Sequence, residues 1–186
     1  MRFLVLSDSH GNLPPLTAAL RWVSRPECGP APDAAIFLGD GADDLAAASK
    51  AAGFAPPWYC VRGNMDSSRL IRDTLVVETG AAKLFLAHGN RHRLETGFDL
   101  LAGDALEQGA QAALFGHIHV PVWTTYRGIP LLNPGSIGRP RGKTGETFAV
   151  LEVSAAHNGA AFTARFFSLR DKRQFGELAE QYYTNI

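Results

Sequence analysis

Seven polar side chains able to hold a divalent metal recur immediately after short apolar runs. Phe3–Leu6 leads into Asp8 and His10, Ala35–Leu38 into Asp40, and Trp58–Val61 into Asn64. Leu84–Ala87 leads into His88, and Ala112–Phe115 into His117 and His119, while Ile129–Leu132 ends in Asn133, Pro134, Gly135 and Ser136. A single histidine or Gly-Asp pair after a strand is ordinarily a loop or turn residue. Six such junctions in one chain are poorly explained as six independent turns. Asp8 and His10, like His117 and His119, have an i, i+2 spacing. In extended backbone that spacing puts both members on one face, with Ser9 and Ile118 turned away. Four imidazoles, two carboxylates and one amide oxygen exceed the needs of one tetrahedral zinc. Two ions sharing a carboxylate would use all seven donors, each keeping an open position for water. Nitrogen and oxygen donors without thiolate suit manganese, iron, cobalt, nickel or zinc rather than calcium or magnesium. Paired ions of this kind hydrolyse phosphoesters.

The elements that must position these residues can be read from the same runs. Four or five apolar residues bounded by Gly or Pro predict strands buried on both faces. Between them, helical spacing predicts helices over Pro14–Ser24 (Leu16, Leu20, Val23), Ala42–Ala52 and Phe98–Gln111 (Leu100, Leu101, Ala105, Leu106). Asp43 and Asp44 suit the positive end of the second helix. Strands alternating with helices predict an α/β fold. Loops at the carboxyl ends of neighbouring strands converge, which is where such sheets bind ligands. The last third reads as a hairpin, Thr147–Val153 and Ala160–Leu169 turning at His157, Asn158 and Gly159, with a short helix over Gln174–Tyr182. No composition shift marks a boundary, so residues 1–186 are expected to form a single domain with two sheets.

Composition narrows the function. The chain of 186 residues is 46% hydrophobic and 19% charged, which excludes a disordered tail or acidic linker. Lys+Arg and Asp+Glu are 18 each. Zero net charge argues against extended nucleic-acid binding and against a polybasic membrane surface. It permits a small anion held at one local site, because bound divalent ions import the charge that phosphate needs. Cys28 and Cys60 are too few for a disulfide scaffold, and neither a signal peptide nor an apolar stretch of membrane-spanning length is present. A cytoplasmic protein is expected, as a monomer or a homo-oligomer. Gly138–Thr144 is one residue short of a P-loop and contains Pro140, and Pro134–Gly138 lacks the helix of a nucleophile elbow.

The ordered set Asp8-x-His10, Gly39-Asp40, Gly63-Asn64, His88-Gly89 and Gly116-His117-x-His119 resembles the calcineurin-like metallophosphoesterase superfamily. Length and the Asn133–Ser136 segment are similar to its small YfcE-type phosphodiesterase group, over residues 3 to 141. The resemblance implies a four-layer α/β/β/α sandwich of two mixed β-sheets flanked by helices. It implies one ion on Asp8, His10, Asp40 and His119, and a second bridged by Asp40 and held by Asn64, His88 and His117. Asn64 and His88 are accordingly the catalytic candidates as well as ligands. The implied reaction is in-line attack on a small phosphate diester by a hydroxide bridging two divalent ions, manganese foremost, with Zn, Fe, Ni or Co as alternatives. Summed with the carboxylates and hydroxide, the loaded centre keeps about one positive charge for the ester. Met65 stands where many relatives have a histidine that assists the leaving group, and Asn90 where they have a second one. His92 is read as a solvent-exposed loop histidine, with replacement of that missing second histidine as the alternative, and His157 is assigned to solvent. Of Arg62, Arg91, Arg93, Arg139 and Arg141, the last two are the candidates for binding substrate phosphate, and Asp66 for orienting a ligand. The alternatives are a phosphomonoesterase or nucleotidase, and a non-catalytic, retromer-like protein-binding scaffold of the same fold.

Overall fold

Alternation along each strand divides the apolar residues between three cores. A computed structural model describes residues 1–157 and 159–170, with the backbone of 173–175. The strands are β1 (Arg2–Leu6), β2 (Ala34–Phe37), β3 (Trp58–Cys60), β4 (Thr74–Glu78), β5 (Lys83–Ala87) and β6 (Ala112–Phe115). They continue with β7 (Pro121–Tyr126), β8 (Ile129–Pro134), β9 (Thr147–Ala156), β10 (Gly159–Ser168) and β11 (Arg173–Phe175). The helices are α1 (Leu13–Val23), α2 (Asp44–Ala52) and α3 (Asp99–Glu107).

One sheet has the order β11-β10-β9-β1-β2-β3 and the other β4-β5-β6-β8-β7. Both are mixed: β1, β2 and β3 run parallel while β9 is antiparallel to β1, and β5, β6 and β8 run parallel between antiparallel β4 and β7. Phe3 and Val5 of β1, with Ile36 and Leu38, meet Leu84, Leu86, Leu114 and Leu132 of the second sheet. Leu4, Leu6 and Phe37 point the opposite way, onto Leu16, Leu20 and Val23 of α1 and Leu45 of α2. Phe85 and Phe115 pack under Leu101 and Ala105 of α3. The result is the expected four-layer sandwich, with two helices outside one sheet and one outside the other.

Helix ends differ from the sequence expectation for local reasons. Helix α2 starts at Asp44 rather than Ala42: Ala42 and Asp43 form the turn before it, with the Ala42 N–H held by the Asp66 carboxylate at 2.9 Å. It ends at Gly53, whose φ of 66° is one that glycine adopts without a Cβ clash. Helix α3 stops at Glu107, and Gln111 instead exchanges bonds with Lys83 at the start of β5. Two edge strands escape the sequence reading. β4 lacks a glycine-bounded apolar run, and β7 opens on Pro121, which an edge strand tolerates. The hairpin of β9 and β10 is present, with exposed His157 in its turn and Asn158 outside the described residues. Arg173–Phe175 is strand β11, so the expected helix does not begin at Gln174, and its remainder from 176 lies outside the described residues. No helix among the described residues is long and apolar enough to cross a membrane.

Leu114 is 1% exposed in the core between the sheets. Leu114→Ala is expected to cost about 2–5 kcal/mol of unfolding free energy, read from the urea midpoint at unchanged slope.

Candidate metal centre

The donor residues stand at the carboxyl ends of β1, β2, β3, β5 and β6, and most do so in a backbone conformation that L-residues rarely adopt. Asp8, His10, Asp40, His117 and His119 all have positive φ, between 49° and 70°. Among the described non-glycine residues only Arg93 and Arg127 share it. This corrects the extended i, i+2 geometry expected for Asp8 with His10 and for His117 with His119. The chain instead turns left-handed at each donor, and the loops are tied crosswise. The N–H of Asp8 donates to Gly39 O at 2.9 Å and that of His10 to Asp40 O at 3.0 Å. The N–H of Gly116 donates to His88 O at 2.9 Å.

These turns focus the side chains. Asp8 Oδ2 accepts the His117 N–H at 3.1 Å, which leaves Oδ1 facing His119 Nε2 at 3.1 Å and His10 Nε2 at 3.8 Å. Asp40 Oδ1 accepts the Met65 N–H at 2.7 Å, which leaves Oδ2 3.5 Å from His88 Nε2 and 3.8 Å from His10 Nε2. His88 Nδ1 donates to Leu38 O at 2.7 Å and His119 Nδ1 to Arg139 O at 2.6 Å, so in both rings Nε2 is the nitrogen left to ligate. His10 Nε2 and His119 Nε2 are 3.2 Å apart, and the His117 ring lies edge-on to that of His88 at 5.1 Å.

Burial, together with neighbouring cations, lowers the pKa of His10 and His117 below the usual histidine value, so both are neutral and lone-pair bearing near pH 7. For Asp40 burial acts against ionisation, but His88 and the Met65 N–H outweigh it and hold its carboxyl low. Burial likewise opposes charge on His88, yet Asp40, Asp8 and the Leu38 carbonyl raise its pKa.

The donor set fits divalent metal on an observation independent of its composition. Asp8 Oδ1 and His88 Nε2 are fully buried with no hydrogen-bond partner, an arrangement that is costly unless a cation satisfies them. Two overlapping clusters bring donor atoms within 4.8 Å of one another, Asp8 with His10 and His119, and Asp8 with Asp40 and His88. Asp8 is the carboxylate common to both, whereas the family resemblance gives the shared role to Asp40. Asn64 is exposed and His117 half-buried, and both line a cavity of about 320 Å³ with His10, Asp40 and His119. Met65, Arg139 and Arg141 complete its wall. A larger cavity of about 580 Å³ lies between β4 and α3, away from the donor clusters.

Asp66 works as an orienting residue in a specific way. Its two oxygens accept the N–H groups of Asp40, Gly41, Ala42 and Gly63 at 2.7–2.9 Å, locking the Asp40 loop to the Asn64 loop. Asn133 and Ser136, which close the last apolar run, brace the donor loops through their side chains. Asn133 Nδ2 donates to Gly116 O at 2.7 Å, and Ser136 Oγ donates to Asp8 O at 2.8 Å while accepting the Arg139 N–H at 2.7 Å. Asp44, expected to serve its own helix, instead accepts Ser9 Oγ at 2.6 Å and the Gly11 N–H at 2.9 Å. A polar residue closing an apolar run was the available signal for Asn133; nothing local marked Asp44. His92 is 6% exposed, against Phe85 and 3.1 Å from Asp104, and is neither a solvent residue nor a donor to the cavity.

Comparison with known proteins identifies the family and matches the fold. The calcineurin-like phosphoesterase superfamily domain matches residues 1–156. The chain is similar to the probable metallophosphoesterase YsnB of Bacillus subtilis, at 32% identity over 167 residues and 90% of each chain. Its fold matches Vps29 of Entamoeba histolytica complexed with zinc, at TM-score 0.73 and 20% identity, covering 95% of this chain and 97% of that one. It also matches the E. coli phosphoesterase Yfce, at TM-score 0.67 and 23% identity, covering 96% and 99%.

At Gly63 an added Cβ would fall 2.1 Å from Asp40 Oδ1 and 2.3 Å from Asp40 N, so a side chain there displaces the carboxylate. Gly63→Ala is expected to keep the native circular dichroism spectrum and to lose bound metal about tenfold more readily than wild type in competition with a chelator.

Proposed function

The chain belongs to the calcineurin-like phosphoesterase superfamily, and within it we propose a phosphodiesterase that cleaves small phosphate diesters with two divalent ions, manganese foremost. The observation that carries this reading is the pair of buried donor atoms without a hydrogen bond, Asp8 Oδ1 and His88 Nε2, each facing only other donors, beside a cavity walled by Arg139 and Arg141. Asp8, His10 and His119 are the residues to hold one ion, and Asp40, Asn64, His88 and His117 the other, with a carboxylate shared between them. Bound there, divalent ions supply neutralisation of phosphoryl charge and a water acidified toward neutral pH.

The chain's own groups do the rest. The Leu38 and Arg139 carbonyls fix two imidazoles in the ligating tautomer, so no ring has to reorient. The Met65 N–H holds Asp40 on one oxygen and thereby aims the other. Asn64, exposed at the mouth, has an amide placed to contact the ester. Met65 is 67% exposed beside it and offers no proton to a departing alkoxide. That favours diesters with stable leaving groups over alkyl monoesters and nucleotides, whose departure needs a general acid. A protein-binding scaffold could afford to lose donors, whereas all seven positions are filled here and five of them line one cavity, and that favours the enzyme.

The test is metal analysis followed by turnover of bis(p-nitrophenyl) phosphate with and without Mn²⁺. Expected are bound divalent metal, hydrolysis abolished by a chelator, and slower release from p-nitrophenyl phosphate. Tight metal loading without turnover across a panel of diesters points instead to the scaffold. Asp40→Asn is expected to lower kcat by about a hundredfold or more. Met65→His should raise turnover of alkyl esters by about tenfold to a hundredfold, while changing aryl diesters little.

A further inference from the structure

The arginines grouped near the donor loops are not equivalent. Arg62 donates through Nε to Asp73 Oδ1 at 2.9 Å, and Arg91 stands 2.9 Å from Asp73 Oδ2, so one carboxylate engages both. Arg139 and Arg141 line the cavity and are exposed. Among the described residues, neither guanidinium has a hydrogen bond or an ion-pair partner.

Their backbone, in contrast, is fixed to the donor shell. Arg139 gives its N–H to Ser136 Oγ at 2.7 Å and receives His119 Nδ1 on its carbonyl at 2.6 Å, and the Arg141 N–H reaches His119 O at 3.1 Å. Pro140 sets φ between them. Two cationic heads are thus carried on a segment that cannot drift from the centre.

Strand order gives the cavity two chemically different ends. β1, β2 and β3 are neighbours in that order, so Asp8 and His10, then Asp40, then Asn64 and Met65 form a row. The Arg139–Arg141 segment joins the row at its His10 and His119 end, since the Gly138 N–H donates to Asp8 O at 3.0 Å. The thioether of Met65 occupies the opposite end. A phosphodiester carries a single negative charge, and the donor centre absorbs it. Two further guanidiniums match a terminal phosphate, which carries about −1.5 to −2 at neutral pH and suits their planar donors.

We propose that the substrate is an asymmetric diester: one arm ends in a second phosphate held by Arg139 and Arg141, and the other is uncharged and lies along Met65. The inference rests on the phosphodiesterase reading and specifies its substrate class.

Two esters test it, the p-nitrophenyl ester of thymidine 5′-phosphate and the same compound with a 3′-phosphate. The expected KM is about tenfold lower for the 3′-phosphorylated ester. That ratio should fall to near one in Arg139→Ala/Arg141→Ala and persist in Arg91→Ala. Calorimetric titration of thymidine 3′,5′-bisphosphate against thymidine 5′-phosphate, with Mn²⁺ present, reads the same preference without turnover. Equal affinities, or a preference that survives the double substitution, overturn the inference while leaving the diesterase reading intact. An arginine-dependent preference with neither ester hydrolysed retains the phosphate subsite and removes the diesterase reading.

Discussion

Left-handed backbone at Asp8, His10, Asp40, His117 and His119 is the constraint on which the donor cluster depends. Each such residue costs about 1–2 kcal/mol relative to ordinary backbone, so five together are comparable with much of a small domain's net stability. The offset comes from polar groups with no other task. Asp66 accepts four N–H groups, Ser136 ties Asp8 O to the Arg139 N–H, and Asn133 holds Gly116 O. Ladder-like bonds between neighbouring loops, such as Asp8 N–H to Gly39 O, add to these. Close approach does the remainder: at Gly138 a Cβ would sit 1.9 Å from Ser9 O.

The two sheets enter this arrangement directly. Asp8, His10, Asp40 and Asn64 come from one sheet and His88, His117 and His119 from the other, so the core between the sheets sets the distance between the two halves of the centre. Leu38 shows how closely packing and chemistry are joined. Its side chain is fully buried between the sheets, and its carbonyl accepts the His88 Nδ1 proton across the gap. A packing change at that point reaches a metal donor through one residue.

Much of this was legible in the sequence because the donors follow buried strands whose apolar runs are unambiguous. The six runs from Phe3 to Leu132 each became a strand, and five of the polar residues after them, Asp8, His10, Asp40, His88 and His119, fall in two overlapping donor clusters. The parts that could not be read share a cause. β4 and β7 are edge strands, half-covered and without a continuous apolar run, so only their pairing with β5 and β8 defines them. The positive φ of the donors contradicts local preference and is imposed from distant residues such as Asp66 and Ser136. His92 looked like a loop histidine in sequence because its partner Asp104 lies on α3, a contact that only the packed helix creates.

The bond from His119 Nδ1 to the Arg139 carbonyl ties a candidate metal donor to a cationic residue of the cavity wall. Ions and anions therefore act on a common hinge of one ring and one peptide group. Any free energy by which an occupied cation site favours the seated position of Arg139 returns in full when an anion on Arg139 steadies the His119 ring, since coupling between two binding events is reciprocal. The coupling between a cation on His119 and an anion on Arg139 would be one free energy read from either side, and a substitution that loosens that peptide group would weaken it for both.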